Sequence, residues 1–230
     1  MPLSRPKILL IYLAASLSLT ACAGDTADAG ASVSTPEYLA FREQPTACGA
    51  ERPDPAVAMQ FTEPADMGST EAVDVVLETS CGDISLVLYP EIAPVTVNSF
   101  VFLAEQGYYD GIALHRLVPG YIVQIGDPTA TGGGSPGYRL PDELPPAGFL
   151  SRRGVVAMAN RGANTGGSQF FLMIEDAPLP AAYSVFGEVT SGFDVIAAMA
   201  AVPMGPNPGD TSPSRPLETI YIDHIEVIGG

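Results

Sequence analysis

Glycine and proline interrupt this chain too often for long helices. There are 24 glycines and 22 prolines in 230 residues. Such punctuation predicts short elements joined by tight turns. Apolar residues still make up 47% of the chain, enough to bury a core. The length suits one medium domain with appendages.

The longest stretch free of both residues is at the N-terminus. Arg5 and Lys7 precede an apolar run from Ile8 to Leu19. A membrane-spanning helix needs about 20 apolar residues, so the run is too short to be one. A positive start followed by a short apolar run reads as an export signal over residues 1–21. Leu19-Thr20-Ala21-Cys22 resembles the bacterial lipobox, which implies cleavage before Cys22 and attachment of diacylglycerol, with its palmitate-type chains, to its thiol. The other reading is ordinary secretion with an accidental cysteine. Either way the folded part is expected outside the cytoplasm, and the lipobox places it on the extracytoplasmic face of the cell membrane. Residues 22–70 are read as a lipid-anchored flexible spacer, small and polar in composition, tied to the domain at Cys48. Two cysteines then remain, Cys48 and Cys81. In an oxidising compartment they read as a disulfide, or else as two free thiols.

Charge and composition exclude several chemistries. Net charge is −16, and loss of Arg5 and Lys7 takes it to −18. Phosphate repels such a chain, so nucleic acid is not an expected partner. Lys7 is the sole lysine. A chain without the leader therefore has no Schiff-base lysine and no P-loop. Two histidines are too few for a histidine-built zinc site, so no metal and no cofactor are expected. Gly132, Gly134 and Gly137 satisfy G-x-G-x-x-G, but Pro136 and Pro141 block the helix a dinucleotide site needs.

The domain proper is expected over residues 71–230. Residues 72–79 and 84–88 alternate and flank Cys81-Gly82-Asp83, which reads as a hairpin. Pro94 opens a helical stretch from Val95 to Gln106, and Gly107 follows it. Short strands are expected at 114–117, 121–124, 155–159, 170–174, 185–189 and 220–228, with a second helix at 193–200. Many strands and two helices suggest a closed barrel.

Four runs carry the chemistry. They are Leu114 to Asp127 (LHRLVPGYIVQIGD), Gly154 to Asn160 (GVVAMAN), Asn164 to Phe171 (NTGGSQFF) and Tyr183 to Gly187 (YSVFG). In this order and spacing they resemble the motifs of the cyclophilin family of peptidyl-prolyl cis-trans isomerases, over about residues 71–228. The resemblance implies a mainly β fold, a closed eight-stranded antiparallel β-barrel capped by two α-helices. It implies a peptidyl-prolyl cis-trans isomerase with Arg116 as the catalytic residue. It puts Tyr121, Ile122, Gln124, Ala159, Asn160, Gln169, Phe171, Leu179 and Tyr183 in the substrate groove. Tyr121 and Ile122 stand for the usual Phe and Met, and Tyr183 for a frequent His. Pro178 stands where many members carry the Trp that supports cyclosporin binding. Combined with the leader, the expected role is to speed folding of exported proteins. The partners are their proline-containing peptide segments, and the membrane is met only through the lipid anchor of a monomer. The alternative is a non-catalytic proline-peptide binding module on the same fold.

Overall fold

The computed structural model describes residues 30–145 and 152–229. The leader 1–21 and Cys22 lie outside the described residues. Alternation governs the first hairpin. β1 (Val73–Thr79) and β2 (Gly82–Leu88) bury every second side chain and pair without slippage from Val73↔Leu88 to Thr79↔Gly82. α2 (Pro94–Glu105) follows, then β3 (Arg116–Val118), β4 (Ile122–Ile125), β5 (Val155–Met158), β6 (Phe170–Met173) and β7 (Val185–Ser191). α3 (Phe193–Ala200), a small ladder of β8 (Met204–Gly205) with β9 (Arg215–Pro216), and β10 (Ile222–Gly229) complete the chain. Eight strands form one antiparallel sheet in the order β10-β1-β2-β7-β5-β6-β4-β3.

The closed barrel is a correction. The sheet curls but is left open as a ladder between its edge strands β3 and β10. β3 is only three residues long, and Pro119 follows it with no N–H to extend the ladder. The seam is crossed one step earlier along each strand. Leu114 N–H donates to Ile220 O at 2.8 Å, Ile222 N–H donates to Ile112 O at 3.0 Å, and Ala113 faces Tyr221.

α2 begins where proline predicts and stops at Gly107, whose φ of +67° suits the left-handed residue after a helix. Its first turn has no side-chain cap of its own. Glu143 supplies one from 47 residues away: Val95 N–H and Thr96 N–H donate to its carboxylate at 2.9 and 2.8 Å. A carboxylate at a helix N-terminus also opposes the helix dipole favourably. Inside the curl the chain has no Trp, and Phe100 on α2 fills the centre instead. It meets Tyr109, Phe170 and Phe186 at centroid distances of 5.3, 5.2 and 5.4 Å.

A third helix is also a correction. Residues 30–70 are not a loose spacer. Thr35 caps α1 (Pro36–Arg42), and its Oγ accepts from Tyr38 N–H at 3.3 Å. Tyr38 and Phe41 are fully buried in the main core. Tyr38 Oη donates to Gly111 O at 2.8 Å and accepts from Ala56 N–H at 2.7 Å. Gly111, at φ +73°, leaves no space for a side chain, because a Cβ there would lie 2.4 Å from Asp54 O. Residues 45–47 then lie beside Thr219, through Ala47 N–H to Thr219 O and Thr219 N–H to Pro45 O. Cys48 and Cys81 are bonded, with Cα atoms 5.1 Å apart. The stretch looked like a spacer because it has few apolar anchors in polar surroundings, and Leu39 is exposed.

If this stretch is integral to the domain, Phe41→Ala leaves a core cavity and costs about 3–5 kcal/mol of stability. Urea unfolding with an unchanged midpoint would show instead that residues 36–42 are dispensable.

Candidate active site

The pleat divides the outer strands between two apolar clusters. Val123, Ile125, Phe170, Leu172, Val156 and Met158 face the main core. Their neighbours Ile122, Phe171, Met173, Val155 and Ala157 form a second cluster on the opposite face. This is why β5 and β6 are buried at every position. Half-buried Tyr121, Ala159, Leu179 and Tyr183 roof the second cluster. Phe171 and Tyr183 meet edge to face, with centroids 5.3 Å apart. The result is an apolar, partly open socket.

Register places the polar groups beside it. Arg116 pairs with Gln124 across β3 and β4, Gln124 with Phe171 across β4 and β6, and Phe171 with Ala157 across β6 and β5. These four residues form one row on one face. Arg116 Nη1 donates to Gln124 Oε1 at 3.0 Å, and Gln124 Nε2 donates to Gln169 Oε1 at 3.1 Å. Gln169 Nε2 in turn donates to the carbonyls of Gly132 and Gly134 at 3.0 and 3.1 Å. The glycine loop that mimics a nucleotide motif is thus a wall of this groove. Gly134 must lack a side chain, because a Cβ would meet Asp127 Oδ1 at 2.0 Å.

The sequence reading missed Asp210. Its carboxylate grips Arg116 in a fork, from Nε to Oδ2 and from Nη2 to Oδ1, both at 2.8 Å. Such bidentate pairs fix the guanidinium plane as well as its position. Ser214 Oγ also donates to Asp210. The hydrogen bond from Arg116 holds the Asp210 carboxyl below the usual carboxylate range, against the opposing effect of burial. Asp210 lies 94 positions from Arg116 in a Pro- and Gly-rich loop, so no local pattern announces the pair. His115, next to Arg116, is buried with neither ring nitrogen bonded. Burial pushes its pKa down, which keeps a second positive charge away from Arg116.

Of the remaining sequence-predicted residues, Asn160 Nδ2 donates to Ala182 O at 2.6 Å and steadies the approach to Tyr183. Arg116, Gln124 and Gln169 are therefore linked by hydrogen bonds beside the six apolar residues, and Asn160 lines the same hollow as Gln124, Ala159 and Gln169.

The family model for cyclophilin type peptidyl-prolyl cis-trans isomerase matches residues 74–227. The chain belongs to this family of peptidyl-prolyl isomerases. It is 41% identical over 161 residues to a peptidyl-prolyl cis-trans isomerase-like 1 of Aspergillus fumigatus, covering 68% of this chain and 96% of that protein. It is 39% identical to the isomerase ppi1 of Schizosaccharomyces pombe, covering 65% of this chain and 95% of that one. A Cryptosporidium parvum cyclophilin crystal structure superposes with a TM-score of 0.63 at 32% identity, over 70% of this chain and 99% of its own. The same protein crystallised in the presence of the dipeptide Ala-Pro gives 0.62.

In this cyclophilin the Arg116–Asp210 pair gives an acid limit. A depressed carboxyl contributes its stabilisation above its unfolded pKa, near 4, and loses it as pH falls through the folded value. The Arg116 Nε resonance is expected to stay constant from neutral pH to about pH 4 and to move only below that. Asp210→Ala should move it at neutral pH and lower kcat/KM about ten- to a hundredfold, the size of one or two charge-assisted bonds. An unmoved resonance in the variant would show that Gln124 alone holds the guanidinium.

Proposed function

We propose that this cyclophilin isomerises X-Pro bonds in exported chains and that Arg116 stabilises the twisted imide. Resonance gives the peptide bond a rotational barrier of about 18–20 kcal/mol. The cis and trans forms of X-Pro are close in energy but exchange over tens to hundreds of seconds. During rotation the imide loses conjugation and the prolyl nitrogen regains a lone pair. A donor held at that nitrogen favours the twisted form over both planar forms, and only such differential binding lowers a barrier.

The observation that carries this reading is the clamp on Arg116. Asp210 and Gln124 hold its guanidinium at the edge of the apolar socket, and its side chain keeps 27% of its exposure. A pre-placed donor needs no reorganisation during the reaction. The socket of Tyr121, Ile122, Phe171 and Leu179 suits a proline ring, and Gln124 offers the substrate backbone a polar contact. The reaction forms and breaks no covalent bond, so it calls on no metal or cofactor.

The cellular setting is part of the same proposal. The basic start, the short apolar run and the Leu19-Thr20-Ala21-Cys22 sequence support export and acylation at Cys22. The Cys48–Cys81 bond suits an oxidising compartment. Each buried CH₂ of an acyl chain adds about 0.8 kcal/mol of membrane affinity, so a multiply acylated Cys22 holds firmly. No described helix is long and apolar enough to cross a membrane.

Exchange spectroscopy on an Ala-Pro peptide with the detergent-solubilised full chain tests the chemistry. Lowering the barrier by about 7 kcal/mol gives roughly 10⁵-fold acceleration. Arg116→Ala should lose about 10²–10³ of it, the usual effect of removing one placed donor. A fully active variant would remove Arg116 from the mechanism. Cys22→Ser should abolish labelling by radioactive palmitate and move the protein to the soluble fraction; unchanged labelling would locate acylation elsewhere.

A further inference from the structure

The chain enters its described fold beside the groove. Gly30 packs so closely on residues 57 and 58 that an added Cβ would lie 2.8 Å from Ala58 O. Ala58 N–H donates to Ala31 O at 2.9 Å, Val33 N–H donates to Ala56 O at 2.8 Å, and Ser32 faces Val57. Residues 31–33 are thus fixed as a short antiparallel ladder with residues 56–58. Ala31 to Thr35 then form one wall of a hollow of about 510 Å³, and Gly134 and Ser135 of the glycine loop form another. Gly134 O accepts from Gln169, and Gln169 is joined through Gln124 to Arg116. One hollow and three hydrogen bonds separate the entry point from the arginine.

Entry at this point makes the tether short. Because Gly30 is already seated on the domain, only residues 23–29 lie between Cys22 and the fold. The steps from Cys22 to Gly30 span at most about 29 Å. A domain of this length is about 40 Å across. A tether shorter than the domain is wide keeps the entry point from turning away from the lipid. Charge does not compete for the orientation by pulling another face to an anionic surface, because the chain without its leader carries −18.

We propose that the glycine-loop side of the groove faces the bilayer and that the groove acts on proline segments of chains held at that same surface. The reading rests on acylation at Cys22 and on isomerisation at the adjacent socket. Substrate and enzyme on one surface meet at an effective concentration set by their tethers, without any added contact.

The test compares the acylated full chain in zwitterionic nanodiscs with the same chain carrying a flexible Gly/Ser insertion of about 40 residues between positions 29 and 30. The substrate is an Ala-Pro peptide, either free or anchored to the same disc through a short acylated linker. The native chain should favour the anchored peptide. The insertion lengthens the tether about sixfold and should cut that preference roughly tenfold, with the rate on free peptide unchanged. Gadolinium-headgroup lipid should broaden the Thr131 and Gly133 amide resonances of the native chain and spare them after the insertion. A preference that survives the insertion would overturn the proposal, as would glycine-loop amides left sharp in the native chain. A chain that never enters the discs would remove the anchor and the proposal with it. Broadened amides without acceleration of either peptide would support the orientation and remove the isomerase reading instead.

Discussion

A pleated strand shows only every second side chain to one face, and four short strands here use both faces for apolar groups. Ile122 and Val123 are adjacent in sequence yet belong to different clusters, as do Phe170 and Phe171. The main core consolidates the curl, and the outer cluster forms a hydrophobic socket on a sheet already held rigid from behind. A one-residue slip between β4 and β6 would send Phe171 inward and Phe170 out. It would also take Phe171 out of register with Gln124. The packing of the core and the geometry of the site are therefore one constraint.

Within that frame the Arg116 guanidinium is both charged and held still. Arginine stays protonated at every relevant pH, so its ionisation needs no tuning. Stillness is harder, since a long side chain at a groove edge has several rotamers to lose. Asp210 and Gln124 between them engage Nε, Nη1 and Nη2. The carboxylate comes from the 203–217 loop, itself fastened by Leu117 N–H to Ser214 O at 2.8 Å and by the β8–β9 ladder. The loop that looks like plain connection in sequence sets the arginine.

Local chemistry made most of the sheet legible. The hairpin of β1 and β2, the Pro94 start and Gly107 end of α2, and the boundaries of α3 all follow from periodicity and capping. The family was legible through ordered motifs, not through any single residue type. What escaped was long-range. α1 has a readable start in Thr35-Pro36-Glu37, but its buried anchors, Tyr38 and Phe41, matter because Gly111, Ala56 and Arg215 receive them. Asp210 and Glu143 are ordinary surface acids until the fold brings them to Arg116 and to the first turn of α2. The open seam depends on where β3 stops, a boundary of one or two residues that pattern alone does not fix.

The N-terminal stretch has a consequence for the site as well as for stability. The family match begins at residue 74, yet the glycine loop that walls the groove is held from before that point. Thr35 Oγ donates to Thr129 O at 2.7 Å, Gln60 Nε2 to Ser135 O at 2.9 Å, and Phe61 N–H to Pro136 O at 2.7 Å. Gln169 grips the same loop from the other side, through Gly132 and Gly134. A glycine-rich loop has high conformational entropy to lose, and bonds from both flanks are what hold it in one shape. Residues 30–61 therefore join the row of Arg116, Gln124 and Phe171 to the disulfide-tied start of the domain. The shape of the groove is a property of this longer chain, not of the family core alone.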